Sequence, residues 1–197
     1  ISLFVLPPAA HPNLSFDWFF THILAHEISH GIGPHETTID GKKTSVRLAL
    51  KDLYSTIEEA KADATGLFMV QFFFDKGILQ GGEANERKLY DTFLASSFRT
   101  LRFGIHEAHG RGMALQFNFL MDHGAFVERP NGTFEVNYAK RKGAGRVRTQ
   151  CRLTIEAQGD YAAAKRLLDQ LGVLRPQIAA TLEKLQGIPV DIRPIFV

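Results

Sequence analysis

The hydrophobic pattern predicts a helix near the start of the chain. Apolar residues recur at intervals of three and four between Phe16 and Leu24, which places them on one face of a helix. Ser15 and Asp17 are start signals at one end of this segment, and Gly31 is a stop signal at the other. We therefore expect a buried amphipathic helix that ends just before Gly31.

The rest of the chain is dominated by similar helical patterns. Further helices are expected at residues 55–77, 83–102, 106–121, 138–158, 160–171 and 176–186. Two overlapping capping boxes, at Ser55 and Thr56, should open the first of these. Residues 31–43 are predicted to be a loop, and a short strand is expected at Thr133–Val136, with extended segments at residues 2–6 and 188–197. The fold class is a mainly α domain with little β structure.

Composition is that of a globular domain. The chain has 197 residues, 45% of them hydrophobic, enough to bury a core, and we treat residues 1–197 as one domain. The formal net charge of +2 gives no indication of nucleic acid or a membrane as partner, and the sequence has no apolar run long enough to span a bilayer. One cysteine excludes an internal disulfide, which favours a cytoplasmic location.

The first predicted helix ends in His26-Glu27-Ile28-Ser29-His30, an HExxH motif. On a helix, His26 and His30 share a face, so both can bind one zinc ion while Glu27 lies beside it as a base for water. A hydrolytic zinc site uses three protein ligands and keeps the fourth position for water. Another segment must therefore supply a third ligand.

The acidic sequence at residues 58–63 is the candidate source of that ligand. Glu58 and Glu59 diverge by about 100° on a helix, so only one of them can point straight at the metal, while Glu59 and Asp63 share a face. The acids that do not bind zinc can accept hydrogen bonds from the metal-bound histidines. Taken alone, these acids would be assigned to capping or surface charge. The alanines among them, together with Gly66, should let the two helices approach closely.

Other polar residues are expected to be structural or solvated. His22, one turn before His26, is interpreted as a core residue or an outer partner of the site, and His35 as an inert loop residue. The basic residues of one predicted helix are expected to form a solvated face, because no aromatic residues are interleaved with them. They are Lys140, Arg141, Lys142, Arg146, Arg148 and Arg152.

HExxH, followed by Glu-Glu-x-x-Ala-Asp and then by Glu-Ala-His-Gly-Arg-Gly, resembles the zinc-dependent dipeptidyl peptidase III family, particularly its bacterial and Nudix-fused members. The resemblance covers most of the chain and implies a zinc cofactor and a peptide substrate. It implies that His26, His30 and Glu59 bind zinc, that Glu27 is the general base and that His109 stabilises the transition state. Glu58 and Asp63 remain as the outer partners.

Two positions depart from the better-known members of that family. They carry HExxGH, with an extra residue that this chain lacks, so the metal helix should be regular here. They also have an arginine four residues after the transition-state histidine, where this chain has Met113, with Arg111 nearby. The family has two lobes, and the resemblance implies that residues 1–197 are the metal-bearing C-terminal part and that the N-terminal lobe is absent.

We therefore interpret the chain as a zinc metallopeptidase domain in which Glu27 takes a proton from zinc-bound water and passes it to the leaving amine. As an isolated fragment it is expected to be weak or inactive. Two alternatives stay open: a catalytically silent binding or regulatory module stabilised by zinc, and a zinc hydrolase of a non-peptide substrate. The intact Glu27 favours an enzyme, because a structural zinc site does not require a base.

Overall fold

The computed structural model describes residues 1–190, with the backbone alone for residues 144–148. Helices in this part of the chain are α1 (Ser2–Val5), α2 (Phe16–Ser29), α3 (Val46–Leu50), α4 (Tyr54–Asp75), α5 (Gly82–Leu101), α6 (Ala108–Asp122), α7 (Arg141–Gln158), α8 (Tyr161–Leu171) and α9 (Pro176–Lys184). Strands β1 (Glu36–Ile39) and β2 (Lys42–Ser45) form one antiparallel hairpin, and β3 (Phe126–Glu128) and β4 (Phe134–Val136) form another. The prediction of a mainly α domain with little β structure is confirmed.

Helix α4 is the central element, and α2, α6 and α7 all pack against it. Its small residues Ala60, Ala62, Ala64 and Gly66 are buried, as the sequence predicted, so neighbouring backbones can come close. None of the helices in the described part of the chain has both the length and the apolar character needed to cross a membrane.

Two hydrophobic clusters flank α4. The larger joins α5, α6, the β3–β4 hairpin and α9, and its centre is a group of tilted and edge-to-face aromatic rings that includes Phe98, Phe117 and Phe134. The smaller joins α3, α4, α7 and α8 around residues such as Leu50, Ile57 and Leu168. Because both clusters pack on α4, the two sides of the domain hold this helix firmly in place.

The N-terminal residues are helical where an extended segment was expected. Ser2–Val5 forms one helical turn, and Val5 and Leu6 are 0% and 1% exposed in the larger cluster. Burial of these apolar side chains outweighs the weak extended pattern, so the extended segment predicted at residues 2–6 is wrong. Of the extended tail predicted at residues 188–197, residues 191–197 lie outside the described part.

The predicted loop at residues 31–43 contains most of a β-hairpin. Asp40 and Gly41 both have positive φ, 49° and 75°, which suits a two-residue turn between antiparallel strands. An Asp-Gly pair is a strong hairpin signal, and the sequence prediction underestimated it. The capping boxes at Ser55 and Thr56 are also wrong. A 3-10 turn at Lys51–Leu53 runs directly into α4, so both residues lie inside its first turn.

The basic residues of α7 form a solvated face only in part. Arg141 is 7% exposed and pairs with Glu86, and Arg152 is 1% exposed. Lys142 pairs with Asp75 at 2.6 Å but remains exposed, as does Lys140 just before the helix. The prediction of a solvated face is therefore wrong for Arg141 and Arg152. The side chains of the remaining arginines of this run, Arg146 and Arg148, lie outside the described part of the structure.

Helix α2 begins as predicted, with Ser15 as its N-cap, but it is buried on one side only. His22, Ala25, His26 and Ser29 face the domain, whereas the opposite side is exposed, up to 75% at Phe16. We call this exposed side the apolar face of α2, and it consists of Phe16, Phe20, Ile23, Leu24 and Ile28. The prediction of a buried amphipathic helix is therefore wrong for this side, whose large apolar residues are exposed.

Candidate metal centre

The close contact between α2 and α4 depends on Gly66. A Cβ at this position would lie 2.8 Å from the backbone nitrogen of His26 and 2.9 Å from the carbonyl carbon of Ala25. Both distances are well inside van der Waals contact, so only glycine allows the helices to be this near. The HExxH residues and the acidic residues of α4 consequently face each other across a very short gap.

Carboxylates orient both histidines of the motif. His26 Nδ1 lies 2.7 Å from Asp63 Oδ1, and His30 Nδ1 lies 2.9 Å from Glu58 Oε1. An ionised carboxylate can only accept, so each Nδ1 carries a proton and donates it. Burial opposes ionisation of Asp63, but hydrogen bonds from His26 and Gln116 and the neighbouring His22 hold its pKa below the usual range. Both Nε2 atoms are thereby turned toward the space between the helices.

Three donor atoms converge in that space. His26 Nε2 and His30 Nε2 are 3.2 Å apart, and Glu59 Oε2 lies 3.3 Å from the first and 3.8 Å from the second. Two ligands on a tetrahedral zinc, each about 2.0–2.1 Å from the ion, are separated by about 3.3–3.4 Å. The residues present therefore fit a zinc ion held by His26, His30 and Glu59.

The charges of the cluster favour the binding of a cation. Glu59 Oε2 is buried and has no hydrogen-bond partner in the described part of the chain, although three imidazoles are near it. Burial acts to lower the pKa of His26, yet the hydrogen bond with Asp63 and the negative charges of Asp63 and Glu59 outweigh it and raise that pKa to about 10. Without a metal, the cluster therefore retains a proton, and a divalent cation can replace it.

Lys61 and Gln116 support the acids and were not singled out in the sequence. Lys61 Nζ lies 2.7 Å from Glu58 Oε1, and Gln116 Nε2 donates to Asp63 Oδ2 at 2.7 Å. The i,i+3 spacing of Glu58 and Lys61 was a visible signal for the first contact. Nothing local in the sequence marks Gln116, because α6 meets α4 only through the tertiary fold.

His109 stands at the N-terminus of α6, next to the cluster. Its Nε2 is 3.1 Å from Glu59 Oε2, and its imidazole ring is 65% exposed. Gly112, in the next turn, allows this approach, because a Cβ there would meet the backbone of Thr56 and Ala60 at 3.3 Å. Close helix packing thus explains Gly112, whereas a Cβ at Gly110 would clash with the backbone oxygen of Gly104, before α6.

The other histidines and the positions that depart from the family pattern lie outside the cluster. His22 packs edge-on against Phe93 and approaches the Asp63 carbonyl, as expected of a core residue beside the site. His35 is exposed. Met113 is buried in the larger hydrophobic cluster, and Arg111 faces Asp169 on α8 at 3.9 Å. Arg111 therefore does not take the place of the arginine that the better-known family members have at the position of Met113.

Glu27 occupies the exposed side of α2, at the end where the metal cluster lies. It belongs to the helical turn between His26 and His30, but its side chain is solvent-exposed, among the residues of the apolar face. The exposed carboxylate of Glu27, next to His26 in the sequence, can exchange protons with water.

Known proteins share this sequence and fold. The chain is 45% identical to Nudix hydrolase 3 of Arabidopsis thaliana over 203 residues, which is 98% of this chain and 26% of that protein. It superposes on dipeptidyl-peptidase III of Corallococcus sp. strain EGB with a TM-score of 0.94 and 48% identity, and on DPP III of Caldithrix abyssi with 0.95 and 44%. No family model matches the sequence.

The two superpositions use 98% and 99% of this chain but only 36% and 37% of the solved chains. The chain therefore spans well under half the length of the relatives it matches. High identity over almost all of its residues, together with TM-scores of 0.94 and 0.95, shows that the chain shares its fold with these two proteins. The resemblance to the dipeptidyl peptidase III family is therefore confirmed, and the chain corresponds to one part of those longer proteins.

Proposed function

We propose that the chain is the zinc-binding catalytic domain of a dipeptidyl-peptidase-like hydrolase, with His26, His30 and Glu59 as the ligands. The observation that supports this most directly is the convergence of their three donor atoms, with Glu59 Oε2 buried and lacking a hydrogen-bond partner among the described residues. Glu58 and Asp63 hold the histidines in the ring orientation that a metal requires.

A bound zinc ion supplies Lewis acidity, which lowers the pKa of a water molecule and polarises a carbonyl group. Glu27 accepts the proton of the attacking water and donates it to the leaving amine, a role that suits its exposed position beside the ligands. His109 donates a hydrogen bond to the carbonyl oxygen as negative charge develops on it. Its ring is 65% exposed, so a substrate can reach it.

We further propose that the remainder of a longer protein forms the opposite wall of the substrate cleft. The apolar face of α2 includes Phe20, Leu24 and Ile28, which are 55%, 51% and 52% exposed, and Glu27 lies among them. Large exposed apolar patches mark interaction sites, and a hydrolytic centre works best when water is excluded around it. The relatives have the additional length needed to cover this face.

Zinc titration of ligand variants tests the proposal. We expect one zinc per chain after removal of metal with a chelator and addition of zinc, and a large loss of affinity in His26→Ala and Glu59→Ala. His35→Ala is the matched control, because that exposed histidine lies outside the cluster. Equal zinc affinity in wild type, His26→Ala and Glu59→Ala would show that the ion binds elsewhere and would reject the proposal.

A structural zinc site is the second candidate, and the position of His109 favours it. Its Nε2 lies 3.1 Å from Glu59 Oε2, so it could become a fourth protein ligand and leave no position for water. The two candidates differ in the zinc affinity of His109→Ala. Unchanged affinity supports an open catalytic centre, whereas a loss as large as that of His26→Ala supports a closed structural one.

A further inference from the structure

Lys61 is buried between the two metal-site helices. Its side chain is 1% exposed, one of the largest side chains buried to this degree. A buried ammonium group is costly unless hydrogen bonds and an opposite charge compensate for its lost hydration. The contacts that Lys61 makes therefore indicate why a cation is placed here.

All three donors of Lys61 are used. The acceptors are Glu58 of the candidate site and two backbone carbonyls at and just after the C-terminal end of α2. Nζ donates to the backbone carbonyls of Ser29 at 3.0 Å and Ile32 at 2.9 Å, and it lies 2.7 Å from Glu58 Oε1. Carbonyls at a helix C-terminus lack intrahelical partners and attract cations. One ammonium group thus joins the C-terminal end of α2 to an acid of α4.

The same oxygen of Glu58 serves both Lys61 and His30. Glu58 Oε1 accepts from His30 Nδ1 at 2.9 Å while Lys61 Nζ lies 2.7 Å from it. Any movement of Lys61 would therefore shift the atom that orients the His30 imidazole. His30 also follows the last residue of α2, where a helix frays most easily, so this ring depends on tertiary contacts for its position.

We infer that Lys61 is a positioning residue of the metal centre, which acts through Glu58 to orient His30 for metal binding. This inference rests on the proposed zinc function and assigns a role to a residue outside the ligand set. Lys61 fixes Glu58 Oε1, and the fixed oxygen holds His30 Nδ1 so that Nε2 points toward His26 Nε2, 3.2 Å away. Outer partners of this kind typically change metal affinity by about 10–100-fold.

Asn118 provides a matched control for a purely structural role. It is 0% exposed, and its Nδ2 donates to the carbonyls of Leu171 at 2.8 Å and Val173 at 2.9 Å. Like Lys61, it satisfies two backbone carbonyls from a buried position, but these carbonyls belong to α8 and the turn after it. Asn118→Ala should lower the melting temperature and leave zinc affinity unchanged.

The test measures zinc affinity by chelator competition in wild type, Lys61→Met, Glu58→Gln and the double variant, with thermal melting in parallel. We expect each single variant to bind zinc about 10–100-fold more weakly than the wild type. The zinc affinity of the double variant should be no lower than that of whichever single variant binds zinc more weakly. The absorption spectrum of bound Co²⁺ should change in the same three variants and not in Asn118→Ala.

The inference would be overturned if Lys61→Met bound zinc as tightly as the wild type does. It would also be overturned if the losses of zinc affinity in the two single variants added in the double variant. A loss of zinc affinity in Asn118→Ala equal to that in Lys61→Met would overturn it as well. If Lys61→Met does not fold, the double variant decides the question, because it also removes the charge left uncompensated on Glu58. Its zinc affinity should equal that of Glu58→Gln, and a further loss contradicts the inference. Failure of the wild type to bind zinc would instead reject the proposed function.

Discussion

At the scale of single residues, the orientation of the His26 and His30 rings determines which nitrogen atoms face the candidate metal position. A histidine can offer either nitrogen to a metal, and here Asp63 and Glu58 select Nε2 in both cases by accepting from Nδ1. Ligand identity and ligand orientation therefore come from different residues. Substitutions of the outer acids should weaken metal binding without removing a single donor atom.

Glu27→Gln separates metal binding from hydrolysis. The amide keeps the size of the side chain but cannot accept a proton from water, so in the longer protein we expect unchanged zinc content and a loss of turnover on the order of 10²–10⁴-fold. Zinc analysis and hydrolysis of dipeptidyl-naphthylamides measure the two effects. Glu36→Gln, an exposed acid in β1, is the control, and equal activity in both variants would remove Glu27 from the mechanism.

His109→Ala should reduce turnover and leave the fold intact. The exposed ring contributes little to packing, but loss of one donor to a developing negative charge typically slows a reaction by about 10²–10³-fold. Steady-state kinetics of the longer protein, together with its melting temperature, measure this. His106→Ala, two residues before α6, is the control. Unchanged turnover in His109→Ala would assign His109 a structural role only.

How much of the site could be read from sequence differed between its residues. Helical periodicity alone placed His26 and His30 on one face. The resemblance was needed to choose Glu59 over Glu58, because periodicity does not tell which of two adjacent glutamates points toward the metal. Gln116 could not be found, since its contact with Asp63 depends on how α6 crosses α4. The donor distances among His26, His30 and Glu59 are likewise set by tertiary packing.

At the scale of elements, the long helices were predicted well, whereas the short elements between them and the way in which α4 begins were not. Most helices have the predicted extent to within a few residues, because apolar periodicity reflects burial against a core. The ends depend on neighbours in space. A preceding 3-10 turn replaced the predicted capping boxes of α4, and the Asp-Gly pair formed a hairpin where a loop was expected.

Gly66→Ala should separate α2 from α4. The new Cβ would lie 2.8 Å from the His26 backbone nitrogen, so the helices must move apart, at a cost of about 1–3 kcal/mol typical of overpacking. Because each helix carries part of the metal centre, zinc affinity should fall together with thermal stability. Chelator competition and thermal melting measure both.

Gly143→Ala is the matched control for this variant. Gly143 also lies in a helix, but a Cβ there would meet none of the described atoms within 4 Å. It should retain zinc affinity and gain up to about 1 kcal/mol from better helix propensity. Normal zinc affinity in Gly66→Ala would mean that the helix spacing does not determine the geometry of the donor atoms.

At the scale of the whole molecule, the three candidate ligands all lie within this chain, whereas the opposite wall of the proposed cleft does not. Positioning of a substrate can supply about 7–11 kcal/mol toward a barrier, and we propose that much of it comes from the rest of a longer protein. We expect residues 1–197 alone to bind zinc and to cleave dipeptidyl-naphthylamides at least about a hundredfold more slowly than that protein. Equal kcat/KM for the two, at equal zinc loading, would show that no second lobe is needed.

The apolar face of α2 also has a consequence for the colloidal behaviour of the isolated chain. Phe16 and its neighbours on this face are exposed to water, and such patches drive association between copies in solution. We expect sedimentation velocity to show larger species as concentration rises, and Phe20→Ser with Leu24→Ser to shift the chain toward monomer without changing zinc affinity. A monodisperse wild type at high concentration would contradict this expectation. If the wild type does associate, the solubility of this chain becomes a direct measure of how well this face is covered when the rest of a longer protein is added.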